Sequence, residues 1–210
     1  MRHLVIIGAG GYGRETYGLA VGSVGYGIDF DVKGFLDARS DALAGFVGYP
    51  PVLGTPETYV PEADDVFITA IGNIASRRTC AESVAARGGR FIALIHRTAT
   101  LGPNVAVGEG TLIAPNAFVS ADARIGRHAA VFHGTSIGHD AVLEDFTHVY
   151  AQCSVGGGVR LETGACVYPG AVIVPRRTIG ADAVVGAGAT VILNVKRGET
   201  VFGSPARRVK

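Results

Sequence analysis

Residues 101–143 read LGPNVA VGEGTL IAPNAF VSADAR IGRHAA VFHGTS IGHDAV L, and every block of six opens on Leu, Val or Ile. The register continues through Val149, Val155, Leu161, Val167, Ile173, Ile179, Val185 and Val191, making sixteen consecutive aliphatic positions. Six residues cannot bury their own apolar side, so a period this short means that the chain stacks upon itself. Four residues after each aliphatic the side chain is mostly small, as at Thr111, Ala117, Ala123, Ala129, Thr135 and Ala141. One large and one small inward position per hexad suit a narrow core filled by alternating volumes. Three residues after the aliphatic, twelve of the sixteen positions are Gly, Asn or Asp, the residue types that enter tight corners and positive φ at little cost. Each hexad is therefore a short strand followed by a corner. Helical three-to-four spacing and long strict alternation are both absent. Short strands joined by corners in one rotational sense make a parallel β-helix, with coils about 4.8 Å apart.

Outside the repeat, residues 1–95 follow another grammar. Leu4-Val5-Ile6-Ile7 reads as a buried strand, Gly8-Ala9-Gly10-Gly11-Tyr12-Gly13 as a glycine-rich turn, and Arg14 to about Val21 as a helix. A second strand ends at Gly34-Phe35-Leu36-Asp37, and a third is Val66 to Ile71, followed by Gly72-Asn73 and a helix through about Arg87. A fourth strand, Phe91 to Ile95, runs toward the coil. Strands alternating with helices predict a small parallel α/β domain. Gly8, Gly10 and Gly13 satisfy G-x-G-x-x-G between a strand and a helix, a context in which bare backbone amides can approach a phosphate at a helix N-terminus. The alternative is a tight turn that merely packs helix on strand. About 80 residues are too few for both halves of a dinucleotide fold, so a half-Rossmann-like domain that holds one nucleotide or nucleotide diphosphate is expected. Asp37 is the candidate acceptor for ribose or base. The organisation expected is thus an α/β domain over 1–95 and an all-β coil over 96–210.

Net charge is +1, and no Lys/Arg cluster is denser than Arg207, Arg208 and Lys210. Nucleic acid and membrane surfaces are poor partners for such a chain. No apolar run approaches the roughly 20 residues that span a bilayer, and Met1-Arg2-His3-Leu4 leads straight into a strand rather than a secretory segment. Cys80, Cys153 and Cys166 are odd in number and lie within regular elements, as expected of buried free thiols in a reducing cytoplasm.

The sharpest local sequence is His133-Gly134-Thr135-Ser136-Ile137-Gly138-His139-Asp140, followed by Asp145-Phe146-Thr147-His148. His139 lies two residues past an inward aliphatic and is expected on an outer corner. His148 directly precedes inward Val149 and is also expected to point outward. Their separation of nine residues is one and a half hexads, so within one chain they fall on different faces.

The tandem Leu101-Gly102, Val107-Gly108, Ile125-Gly126, Ile137-Gly138, Ile179-Gly180 and Val185-Gly186 units resemble the hexapeptide-repeat acyltransferases. That resemblance implies a left-handed β-helix of triangular section, three hexads per coil, assembled as a homotrimer. The order of glycine-rich α/β domain, Ala70-Ile71-Gly72-Asn73, Leu94-Ile95-His96, coil, and Gly203-Ser204-Pro205-Ala206-Arg207 is similar over essentially the whole chain to bacterial sialic-acid O-acetyltransferases and UDP-amino-sugar N-acetyltransferases. By that resemblance Gly10, Gly11, Tyr12, Asp37 and Gly72 hold a nucleotide-sugar, with acetyl-CoA as co-substrate. His139 is then the general base, Asp140 the neighbour that raises its basicity and holds its tautomer, and His148, Gly157 and Ala187 contact acetyl-CoA. Three positions depart from the family's usual pattern: Tyr12 replaces a His, Ala38 an acidic residue, and Phe132 an Asn.

The chemistry needs such a base, because an amine or hydroxyl attacking a thioester must shed a proton, and imidazole with a pKa near about 6.5 takes it at neutral pH. No Cys or Ser sits in a nucleophile-base signature, so direct attack without an acyl-enzyme is expected. The favoured reading is acetyl transfer to a nucleotide-linked amino sugar in surface glycan synthesis, and the second is O-acetylation of a sialic acid or related sugar. A zinc carbonic anhydrase on the same coil would need three converging imidazoles. His133, His139 and His148 offer spacings of six and nine, and no metal site is expected. A non-catalytic sugar-binding trimer shares the fold as well.

Overall fold

The computed structural model describes residues 1–209, which separate into two compact units, Met1–Leu94 and a second beginning at Ile95. The first unit is a five-stranded parallel sheet. Its elements are β1 (Arg2–Ile7), α1 (Gly11–Val21), β2 (Phe30–Leu36), β3 (Val52–Gly54), β4 (Asp65–Thr69), α2 (Ile74–Ala86) and β5 (Arg90–Phe91). Strand order is β3-β2-β1-β4-β5, so the chain reverses its direction of travel across the sheet between β1 and β4. Leu4 to Ile7 and Val66 to Ile68 are buried almost completely, which is why these strands read as continuous apolar runs.

Two glycines of the turn after β1 are required by packing. Gly8 has φ +105°, and a Cβ there would lie 2.7 Å from the Ala70 carbonyl oxygen; one on Gly13 would lie 2.0 Å from the Gly8 oxygen. With both bare, α1 closes tightly on β1 and begins at Gly11, three residues before the expected Arg14. The expected strand from Phe91 to Ile95 is divided: Arg90–Phe91 pairs with β4, and Leu94–Ile95 belongs to the coil. β3, only three half-buried residues, is too short to show a periodic pattern and was not anticipated.

Beneath the sheet lies a polar cluster. Lys33 Nζ donates to Asp65 Oδ1 at 2.9 Å and to the Tyr59 hydroxyl at 3.0 Å, and Tyr59 donates to Asp65 Oδ2 at 2.7 Å. Burial alone would raise the Asp65 pKa, but the Glu62 amide, Lys33 and Tyr59 together hold it below the usual carboxylate range.

The second unit is a left-handed parallel β-helix. Its first face carries Thr100–Leu101, Phe118–Val119, Ser136–Ile137, Ser154–Val155, Val172–Ile173 and Thr190–Val191. Strands from Ala106–Val107 to Thr178–Ile179 form a second, five-stranded face. The third face runs from Leu94–Ile95 through His148–Val149 to Thr200–Phe202 and antiparallel Arg207–Arg208. Each coil strand up to Val191 pairs with the one eighteen residues away, as in Phe118↔Ser136 and Ser136↔Ser154. Of the sixteen aliphatics, the fourteen from Ile113 onward are at most 3% exposed. Leu101 and Val107 are half-buried, since their coil has a neighbouring strand on one side only.

Threonine at the small inward position is accommodated because the coil satisfies its hydroxyl. Thr135 Oγ1 donates to the Tyr150 carbonyl at 2.6 Å and accepts from the Cys153 amide at 3.2 Å. Cys153 and Cys166 are buried free thiols as expected, whereas Cys80 on α2 is only half-buried.

Candidate active site

Gly10, Gly11, Tyr12, Asp37 and Gly72 all follow the carboxyl ends of strands β1, β2 and β4, along one edge of the sheet. In open α/β sheets a ligand crevice forms at that edge, where the strand order reverses. Here the reversal lies between β1 and β4, with Gly10-Gly11 on one side and Gly72 on the other. Unlike Gly8 and Gly13, these three have unexceptional φ and nothing within 4 Å of an added Cβ. The fold does not demand glycine there, whereas a phosphate approaching the main chain would.

α1 presents its first-turn amides at the same place. Its N-cap is Gly10, with no side-chain cap, while α2 is capped by Asn73 Oδ1 accepting from the Ser76 amide at 2.9 Å. Asp37 is partly engaged within the chain: Oδ2 accepts from the Ala9 amide at 2.9 Å and Oδ1 from the Arg39 amide at 3.0 Å. Burial pushes the Asp37 pKa up, but those two amides and the Arg39 guanidinium pull it below the ordinary value. The carboxylate therefore stays ionised and ties the loop after β1 to the loop after β2. A cavity of about 190 Å³ opens beside it, lined by Leu36, Asp37, Ala38, Glu57, Ile71 and Cys80 among others. Glu57 and Cys80 had no signal in the sequence, because only the fold carries them to Asp37.

In the coil, His139 and Asp140 form the corner after the first-face strand Ser136–Ile137. His139 Nδ1 lies 2.7 Å from Asp140 Oδ2, and both side chains are about two-thirds exposed (70% and 66%). With Nδ1–H donated to the carboxylate, Nε2 is left with a free lone pair, the tautomer a general base requires. Asp140 is held at φ +58° with its amide donating to the Ala121 carbonyl at 3.1 Å, so the coil fixes the backbone from which the carboxylate reaches the imidazole. Gly157 lies one coil beyond His139, against the imidazole.

His148, expected to point outward, is nonetheless shielded from solvent. It lies on the third face at 1% exposure, stacked on Phe132 (centroids 4.9 Å apart) and Tyr150 (4.3 Å). A two-residue strand sends His148 opposite to Val149, but the ring continues an aromatic ladder instead of meeting solvent. Phe132, where a polar residue is usual in the resembling enzymes, is a rung of that ladder. Ala187 is exposed on the corner after Val184–Val185, again on the third face. The structure thus brings His139, Asp140 and Gly157 together, and leaves His148 and Ala187 on another side of the same coil. Among the described residues, no group of three His, Cys, Asp or Glu is placed to hold a metal ion.

Residues 3–84 match the family described as the PglD N-terminal domain. The GDP-perosamine N-acetyltransferase of Escherichia coli is 32% identical over 98% of this chain and 95% of its own length. The acetyltransferase domain of PglB from Neisseria gonorrhoeae superposes with a TM-score of 0.89 at 30% identity, covering 100% of both chains, and has also been solved with acetyl coenzyme A. A histidine-to-asparagine variant of the perosamine N-acetyltransferase from Caulobacter crescentus, solved with CoA and GDP-perosamine, matches with a TM-score of 0.89 at 27% identity, over 100% of this chain and 98% of that one. With both units matched end to end, the chain belongs to the hexapeptide-repeat sugar acetyltransferase family.

Proposed function

We propose that the chain transfers the acetyl group of acetyl-CoA to the amine of a nucleotide-linked amino sugar in bacterial surface glycan synthesis, as a cytoplasmic homotrimer. The observation that carries this reading is a set of sterically unconstrained glycines at the switch point of one unit, in one chain with a His-Asp corner on the other. The amides of α1 receive the diphosphate, and Gly10, Gly11 and Gly72 let it approach. The acceptor nitrogen attacks the thioester carbonyl carbon, His139 Nε2 takes the proton shed by that nitrogen, and the tetrahedral intermediate expels CoA as its thiolate. Asp140 holds the imidazole in the accepting tautomer and faces the positive charge it acquires.

His148 and Ala187 are proposed contacts of the donor, and Gly157, expected with them, lies against the His139 ring. His139 and Ala187 stand on different corners and in different turns of the β-helix, so a donor site using both needs a second copy alongside, and this favours the trimer. The likeness to enzymes of GDP-perosamine places GDP-linked amino sugars first among candidate acceptors.

The test is thiol release from acetyl-CoA with a panel of GDP- and UDP-linked amino sugars and sialic acids. Turnover is expected with a nucleotide-linked amine. Turnover confined to sialic acids would move the assignment to O-acetylation. No turnover on any member, with CoA still bound, would remove the sugar class. His139→Ala is expected to lose about 10²-fold or more in kcat with the assembly retained.

A further inference from the structure

Gly156, Gly157 and Gly158 lie one coil beyond the His139 corner, and the coil itself accounts for the outer two. A Cβ on Gly156 would stand 2.6 Å from the Pro175 backbone nitrogen, and Gly158 holds φ +66°. Gly157 has neither constraint. Its φ is ordinary, and the three atoms nearest to a Cβ placed on it all belong to the His139 imidazole: Nε2 at 2.6 Å, Cε1 at 2.8 Å and Cδ2 at 3.0 Å. Along this column of the coil the residues are Pro103, Ala121, His139, Gly157, Pro175 and Leu193, with glycine only at the rung that follows the histidine.

We infer that Gly157 is a positioning residue for His139: its missing side chain lets the imidazole lie against the next coil while Nδ1 stays on Asp140. The inference rests on the proposed role of His139 as base. The backbone around the ring is already fixed, because the His139 carbonyl accepts from the Gly158 amide at 2.8 Å and the Asp140 amide is bonded to Ala121. A methyl group at position 157 must therefore displace the ring, which is exposed and free to rotate about its side-chain bonds. Rotation carries Nδ1 away from the Asp140 carboxylate, whose backbone is held by the corner. The change then falls on the orientation of the base and not on the fold, and a small misplacement of a catalytic group is enough to cost an order of magnitude in rate.

Gly157→Ala, His139→Ala and the double variant separate this from a donor contact. With the acceptor of the panel that turns over fastest, Gly157→Ala should lower kcat by about tenfold or more and leave KM for acetyl-CoA within about twofold, the pattern of lost transition-state interaction. Nitrogen-15 NMR of the histidine side chains, with the His139 signals identified by their loss in His139→Ala, should show the Nδ1–H tautomer in the parent and its loss in Gly157→Ala. Unchanged kcat and tautomer would overturn the inference, and a raised KM alone would reduce Gly157 to a donor contact. A fall in Tm caused by Gly157→Ala that is equally large without the His139 ring would also overturn the inference. Full activity in His139→Ala would instead remove the base from the proposed function. An inactive panel would remove the substrate class, while the NMR comparison would still decide the steric point.

Discussion

From Asn104 to Gly188, every sixth residue has positive φ, between 54° and 74°, fifteen corners without a break. Eleven of them are Gly, Asn or Asp, but His128, Phe146, Gln152 and Arg176 take the same angle. The coil closes only if each hexad turns there, so closure imposes the angle whatever the side chain. Beyond Gly188 the next such position, Asn194, has left this conformation, and its Oδ1 accepts from the Thr178 amide at 3.0 Å instead. A left-handed angle is uphill for a residue that is neither Gly, Asn nor Asp. Gln152 is exposed there. Gln152→Asn keeps an amide and relieves the angle, so it is expected to stabilise by about 0.5–1 kcal/mol, seen as a Tm higher by a few degrees with activity unchanged. An unaltered or lower Tm would mean that the corner carries no strain at this rung.

At the scale of elements, the coil was legible because its pattern is one-dimensional: inward aliphatic, corner and small residue recur at fixed offsets, and each hexad repeats the same physics. The α/β unit was legible where its strands are buried on both sides, as in β1 and β4. It was not legible at β3, which is too short to show a periodic pattern, nor at the start of α1, which depends on the Gly8–Gly13 approach across the turn. His139 with Asp140 was readable as a corner pair, whereas the burial of His148 was not, since a ladder of Phe132, His148 and Tyr150 arises from residues two and eighteen positions apart.

The Lys33–Tyr59–Asp65 cluster was likewise invisible, and it joins β2, β4 and the segment between β3 and β4. The Asp65 side chain is fully buried, and Lys33 also reaches the exposed Glu62 at 3.0 Å. Removing the Asp65 charge by Asp65→Asn leaves the ammonium with the Tyr59 hydroxyl and with exposed Glu62 as its only carboxylate, at a cost of about 2–3 kcal/mol near pH 7. Because the folded Asp65 pKa lies below its ordinary value, its stabilisation is complete above about pH 4–5 and declines as pH falls through the folded value. Urea unfolding should therefore show a gap between parent and Asp65→Asn that is constant from pH 7 to about 5 and narrows in more acidic buffer. A gap that widens on acidification would contradict the assignment of the cluster as a low-pKa carboxylate pair.

For the molecule as a whole, the proposed division of labour has a kinetic consequence that neither unit shows alone. If the acceptor's nucleotide is held at the switch point and the acetyl donor along the coil, a change in the crevice should alter one Michaelis constant and spare the other. Gly11 is suited to this test. It is the first residue of α1, it is exposed, its φ is ordinary, and an added Cβ meets nothing within 4 Å. The Cβ of a valine at this site therefore meets nothing in the folded chain, and the substitution replaces glycine in a helix, where glycine is itself unfavourable by about 0.5–1 kcal/mol relative to alanine. Any loss must come from what approaches from outside. Gly11→Val is expected to leave Tm unchanged or slightly raised, to increase KM for the nucleotide-sugar by about tenfold, and to leave KM for acetyl-CoA unaltered. That is the signature of ground-state binding removed from one substrate only. Calorimetry with GDP and with UDP on the parent and the variant gives the same comparison without turnover, since a diphosphate held by the helix amides should bind the parent and bind Gly11→Val much more weakly. Equal nucleotide affinity in the two proteins would take the diphosphate away from α1, and with it the role assigned to Gly10, Gly11 and Gly72.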